Sequence, residues 1–280
     1  MNSSFLLSII TFFYGTAASL YIAALIFKKE SPARWATWIV WLGAGGNLLG
    51  IIMRWIESHR LGIGHAPLSN LYESLVFFSL VIALVFLFIY RKYKNYIIGA
   101  FTIPLAFFAM AYASLSKNIS DQIQPLIPAL KSNWLIVHVM TCFVGYSAFA
   151  IAFGVSCMYL FKQKEKEGGI NKLLANFPAT KVLDELNHQL IMFGFLFLTA
   201  GIITGAVWAN SAWGRYWGWD PKETWSLITW FIYATLLHAR MMRGWQGNRI
   251  AVLSIIGFAA VLFTYFGVNY LPGLHSYGSL

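Results

Sequence analysis

Long apolar runs alternate with short polar stretches along the whole chain. The runs fall at roughly 5–27, 36–55, 71–90, 96–114, 134–161, 188–208, 223–240 and 250–271. Each approaches or exceeds the roughly 20 residues that a helix needs to cross a bilayer, and several carry few or no charges over that length. The pattern predicts an all-α, polytopic membrane protein of about eight transmembrane helices. The second and seventh runs are the most diluted, by Arg54 and by a Thr- and Trp-rich face. The first run has no basic stretch before it and no small-residue cleavage site after it, so a retained span is expected in place of a signal peptide.

Composition excludes a soluble fold. The chain is 59% hydrophobic and 11% charged, against roughly 25% charged in an ordinary soluble domain, which leaves too little polar surface to face water. Charge then orients the spans. Fourteen of the 20 basic residues flank the ends of spans one, three, five and seven: Lys28, Lys29, Arg34; Arg91, Lys92, Lys94; Lys162, Lys164, Lys166, Lys172, Lys181; Arg240, Arg243, Arg249. By the positive-inside rule these loops are cytoplasmic, and with eight spans both termini lie on the outer side. The net charge of +10 is accounted for by this bias and implies no nucleic-acid partner, because the basic residues are dispersed beside spans among lipid. Cys142 and Cys157 share the fifth run at a separation of about 22 Å along a helix, so they cannot bridge. The chain has no Cys-x-x-Cys, no repeat, no low-complexity tract and no soluble domain.

The chemistry concentrates on the outer side. Residues 208–230 hold six of the 12 tryptophans: Trp208, Trp213, Trp217, Trp219, Trp225 and Trp230. An interfacial aromatic belt places one or two per helix end. Here Gly214 and Gly218 let the backbone fold tightly, and several indole faces can lie in a plane, which suits a large, flat, apolar ring system. Asp220-Pro221-Lys222-Glu223 also reads as a helix start with a capping box, a structural duty that competes with a ligand-binding one for Asp220. Asn70 and Glu73 offer the same choice at the third span.

His138, near the outer end of the fifth run, and His275, just past Pro272-Gly273, both lie on the side of the Trp-rich loop. Two imidazoles flanking an aromatic platform are what bis-axial haem ligation requires. His238 lies about 26 Å along a helix from Pro221, near the inner end of the seventh run, where an ionisable residue is costly and marks function by default. Arg240 and Arg243 follow it as candidate partners for carboxylates. His59, His65 and His188 have weaker cases.

Trp213-Gly-Arg-Tyr-Trp-Gly-Trp-Asp-Pro-Lys-Glu-Thr-Trp225 and the residues up to Trp230 closely resemble the WWD signature of haem-handling proteins in cytochrome c maturation. Further matches are Pro-Leu-Ser-Asn-Leu-Tyr-Glu-Ser-Leu at 67–75, Trp134 with His138, Gly194-Phe195 through Gly205-Ala-Val-Trp208, and Gly-Leu-His-Ser-Tyr-Gly at 273–278. Within that superfamily the chain resembles the CcsA/ResC branch of the system II pathway. The resemblance implies a single transmembrane haem-handling domain over 1–280 whose outer loop spans 208–230, bound to haem b. It implies axial iron ligation by His138, His275 and His238, with Trp213, Trp217, Trp219, Asp220 and Trp225 around the ring. It also implies a second synthase subunit that supplies another intramembrane histidine, and an apocytochrome c bearing Cys-x-x-Cys-His as recipient. Any synthase activity would then belong to the complex, since no nucleophile and base stand at usable spacing in this chain. The location implied is the inner (plasma) membrane, with the loop periplasmic.

Two other classes compete. A membrane electron-transfer cytochrome b needs facing histidine pairs within its spans, and His238 alone lies deep. A small-solute transporter predicts an inverted repeat or broken helices at the midplane.

Overall fold

The computed structural model describes residues 2–166 and 176–273. They form eight α-helices and, among the described residues, no strand: α1 (Ser3–Phe27), α2 (Glu30–Arg60), α3 (Leu71–Tyr93), α4 (Ile97–Leu115), α5 (Asn133–Lys166), α6 (Thr180–Trp213), α7 (Pro221–Arg243) and α8 (Asn248–Tyr265). Every apolar run is a helix, and the chain is a multi-pass, all-helical membrane protein. Seven of the helices are long and apolar enough to cross a bilayer, and α7, the most polar, is the one that falls short. Helices are the natural outcome, because a segment in hydrocarbon must satisfy its own backbone polar groups.

Two helices outrun their apolar runs. The first turns of α2 carry Glu30 and Arg34, and α6 begins at Thr180 and continues to Trp213. Polar first turns at an interface do not register as apolar sequence, so hydropathy alone shortens both. The ends are set by local chemistry. Asn2 and Asn70 cap α1 and α3, Asn70 by accepting from the Glu73 N–H at 2.9 Å. Gly214 and Gly244 end α6 and α7 in the left-handed conformation.

The chain forms two compact units, Met1–Leu126 with Phe161–Pro178, and Ile127–Leu160 with Ala179–Leu280. The first is built on α1 to α4 around buried Tyr14, Tyr21, Phe86 and Ile97. Polar groups tie its helices. Asn47 of α2 donates to Ser79 Oγ of α3 at 3.0 Å. Arg54 Nε donates to Glu73 Oε1 at 2.7 Å with both side chains at most 2% exposed. The second Glu73 oxygen accepts from the Ser69 N–H and hydroxyl, each at 2.8 Å. Glu73 is thus committed to Arg54 and the start of α3, which decides its role against ligand binding.

The second unit carries the tryptophan loop. Tyr233 of α7 stacks on Phe149 of α5 with centroids 3.6 Å apart. Trp230 of α7 packs against Phe195 of α6 and donates its indole N–H to Thr199 Oγ1 at 2.9 Å. Along α5 and α6 the backbones approach closely: a Cβ added at Gly145 would stand 3.0 Å from the Gly194 carbonyl. Small residues at such a seam replace the hydrophobic drive that lipid removes.

Candidate functional site

The loop between α6 and α7 is short, residues 214–220, and it is held from one side. Asp220 caps α7 by accepting from the Lys222 N–H at 3.0 Å, and Glu223 completes the capping box. Glu223 does more than cap. Its Oε2 accepts from the Gly218 N–H at 2.7 Å and from the Asp220 N–H at 3.1 Å. Trp219, between those two donors, is left-handed with φ 57°. A bulky non-glycine residue there costs about 1–3 kcal/mol. Two charge-assisted hydrogen bonds to one carboxylate offset that cost. The consequence is display: Trp219 is 69% exposed.

The tryptophans do not form a plane. Trp217 and Trp219 meet edge to face at 5.7 Å and 88°, as do Trp208 and Trp213 at 4.9 Å and 64°. This corrects the coplanar platform expected from their density, and the reason lies in secondary structure. Trp208 and Trp213 belong to α6, Trp225 and Trp230 to α7, and Trp217 and Trp219 alone lie on the loop. Helical tryptophans splay around their helices, and edge-to-face contact is a preferred geometry for ring pairs. Trp225 packs on Phe263 of α8 at 4.2 Å.

His138 sits beside this cluster. It is half-buried on α5, its ring parallel to that of Trp208 (10°, centroids 6.0 Å apart). Its Nδ1 is 2.7 Å from the Gly201 carbonyl of α6. A carbonyl only accepts, so Nδ1 carries the proton and Nε2 keeps a free lone pair. That is the arrangement by which a metal-ligating imidazole is oriented and its tautomer fixed. Two glycines permit it: a Cβ at Gly205 would lie 2.6 Å from His138 Nδ1, and one at Gly201 would lie 2.5 Å from Cys142 Sγ. Among the described residues no three His, Cys, Asp or Glu side chains group as a metal site.

The segment after α8 returns to the same place. A Cβ at Gly273 would stand 2.5 Å from Asp220 Oδ2. His275 lies outside the described residues. Asp220 itself is 6% exposed and joins the cap, the loop and the tail.

At the other end of α7, His238 is exposed. Arg240 is taken up: its Nη1 donates to Asp184 Oδ2 of α6 at 2.7 Å, and Nη2 lies 3.6 Å from Glu185. Asp184 Oδ1 also accepts from the Gly247 N–H at 2.9 Å, pinning the turn into α8. This corrects the pairing of Arg240 with ligand carboxylates, and Arg243, which is exposed, remains the candidate there. The buried Nδ1 of His188 has no hydrogen-bond partner among the described residues. In the first unit His65 Nδ1 and Nε2 lie 2.9 and 3.1 Å from the Ala66 and Gln124 carbonyls, a structural role. His59 lines an open groove with Trp55, Ile56 and Arg60.

Sequence reasoning missed Glu223 as a loop clamp, Gly201 and Gly205 as the seat of His138, and Asp184. The spacing of Gly194, Gly201 and Gly205 at seven and four residues was the available signal for the second of these.

A family profile described as "Cytochrome C assembly protein" matches residues 68–275. Relatives described as "Cytochrome c biogenesis protein CcsA" are similar over nearly their whole length. The one from Guillardia theta is 42% identical, covering 93% of this chain and 91% of the relative. The one from Gloeobacter violaceus is 38% identical, covering 100% and 99%. Among solved structures, one titled "Cytochrome c Heme Lyase CcmF" superposes with a TM-score of 0.73 at 18% identity over 95% of this chain. The chain spans 47% of that structure's length, and the likeness is one of fold.

Proposed function

The chain belongs to the cytochrome c assembly protein family, and from that premise we propose that it binds haem b as cargo and presents it outside the membrane to apocytochrome c. His138 and His275 are the axial ligands at the outer site. Trp213, Trp217, Trp219 and Trp225 surround the ring, and Asp220 holds the loop to α7. The observation that carries this reading is the Nδ1 bond from His138 to Gly201, which leaves Nε2 free beside the tryptophan cluster. His275 follows Gly273 by two residues, and position 273 lies against Asp220.

The recipient is a Cys-x-x-Cys-His segment, whose thiols add S–H across the two vinyl C=C bonds. The addition conserves atoms and electrons, so the chain has only to hold the ring and leave its vinyl edge open. That task needs ring contacts and ligands, and synthase activity belongs to the complex.

Haem enters at the inner end, where His238 is one ligand and a histidine of a second subunit the other. What supports a partner there is exposure: Ile228, Phe231, Thr235, His238 and Met242 form an exposed stripe along α7 at helical spacing. A histidine on a lipid-facing stripe is costly, and a partner helix removes that cost. The tryptophan loop and both termini lie outside the plasma membrane on this reading, which is supported by the loops that hold fourteen of the 20 basic residues.

The test is the absorption spectrum of the complex purified with its partner. His138→Ala and His275→Ala should each remove or alter the haem spectrum and stop cytochrome c maturation, with partial recovery on added imidazole. Normal maturation in His138→Ala would sink the assignment.

A further inference from the structure

Lys222 is a cation in an unusual position. It occupies the first turn of α7, where the helix dipole disfavours positive charge. Its side chain is half-buried and runs into the second unit. There Nζ donates to Asn269 Oδ1 at 3.4 Å, the long end of a hydrogen bond. Asn269 is turned to receive it, because its own Nδ2 donates to the Tyr265 carbonyl at 3.1 Å. Among the described residues no carboxylate forms an ion pair with Lys222, and Asp220 accepts from the Lys222 N–H in the cap. This arm leads back to α5: the Tyr265 that Asn269 bonds meets Phe143 edge to face with centroids 5.2 Å apart, five residues after His138 on the same helix. An ammonium has three protons to donate, and one long bond to an amide leaves most of that capacity unused in apolar surroundings.

We propose that Lys222 receives a carboxylate of the cargo held at His138, which for haem is a propionate. The inference rests on the haem reading of the outer site and adds what that reading lacks, a device that fixes the rotation of the ring about its axial bond. Haem carries both propionates on one edge and its vinyls on the other half of the ring. A cation tied to the α5 segment that follows His138 draws the propionate edge inward, so the vinyl half faces away from the bundle towards an incoming thiol pair. Lys222 is in this sense a specificity-determining residue, selecting porphyrins with a free acid side chain and setting which edge is presented.

The experiment compares two cargoes, iron protoporphyrin IX and its dimethyl ester, titrated by absorption into the full chain with its partner after removal of haem. A charge-assisted hydrogen bond lost on esterification weakens binding by roughly tenfold or more. The unaltered chain should therefore prefer the free acid by about that factor. In the part of the titration that His138→Ala abolishes, Lys222→Met should bind both cargoes alike, at the level of the ester on the unaltered chain, and Lys222→Arg should keep the preference. The comparison on the unaltered chain needs no variant, so it holds even if a substitution at the start of α7 disturbs folding. A full preference persisting in Lys222→Met, or no preference in the unaltered chain, overturns the role of Lys222 while leaving haem binding intact. If neither porphyrin binds the unaltered chain, or if His138→Ala binds both as well as it does, the haem reading fails and the proposal fails with it.

Discussion

Gly205→Ala should displace His138 without replacing any residue proposed to meet the cargo. The added Cβ would stand 2.6 Å from His138 Nδ1 and 2.7 Å from Cε1. Comfortable contact begins near 3.5 Å, so the ring must retreat by about 0.8 Å or more. The bond from Nδ1 to the Gly201 carbonyl, 2.7 Å in the structure, would then stretch to the limit of a hydrogen bond or break. The lost bond is worth about 0.5–1.5 kcal/mol and the overpacking costs about 1–3 kcal/mol. Neither sum unfolds the unit, but both fall on the orientation of one imidazole. A functional side chain has to be held to within about 0.5 Å, so axial ligation should suffer far more than insertion.

The assay is the absorption spectrum and haem content of the complex, read beside its yield from membranes. Gly205→Ala should assemble in near-normal amount and lose the six-coordinate outer-site spectrum. A neighbouring substitution supplies the control. Gly201→Ala would place its Cβ 2.5 Å from Cys142 Sγ, so adding Cys142→Ala should recover part of its loss. The main-chain contacts of Cys142, at 3.3 and 3.4 Å, need only a small adjustment. Cys142→Ala should not help Gly205→Ala, whose clash is with the imidazole itself. A Gly205→Ala complex with unchanged haem content and spectrum would refute the claim that this bond seats the ligand.

Three further outcomes are expected. Glu223→Ala should release Trp219 and lower haem retention, Glu223→Gln should retain most of it, and in a Trp219→Ala background Glu223→Ala should add little; additive losses would mean that the carboxylate acts elsewhere. Glu73→Ala should destabilise the first unit by about 3–5 kcal/mol by stranding Arg54 as an unpaired buried charge, read as thermal stability in detergent, with Arg54→Met partly restoring it. His238→Ala should reduce total haem loading including that of an intact outer site, whereas His275→Ala should leave haem at the inner site; normal loading of the outer site in His238→Ala would exclude His238 as the point of entry.

The helices were legible because the pattern that writes them is long and redundant: a run such as 71–90 has no other folded outcome in a bilayer. The capping box at Asp220 was legible for the opposite reason, as a local four-residue chemistry. Contacts that depend on two helices meeting were not. Nothing in the neighbourhood of Glu73 names Arg54 as its partner across 19 residues, and nothing beside Arg240 names Asp184 across 56. The tryptophans show the limit most clearly. Their density marks a segment, but density carries no angle. The division into helical residues and two loop residues decided which rings splay and which one is displayed. His138 shows it too, since the proton on Nδ1 is set by a carbonyl 63 residues away.

The two ends of α7 are built on opposite plans, and the difference bears on direction. At the loop end, His138 is held by Gly201 and lies parallel to Trp208, both from within this chain. At the other end, His238 is exposed while Arg240, two residues on, is spent on Asp184. A site whose ligand is fixed in advance binds without an ordering cost, whereas one that needs a second subunit binds only when that subunit is in place. Cargo that arrives at the conditional site and moves to the preorganised one goes downhill, provided the recipient then removes it covalently. On the proposed reading the gradient lies in how completely each histidine is seated, and Gly201 and Gly205 are the residues that set its lower end.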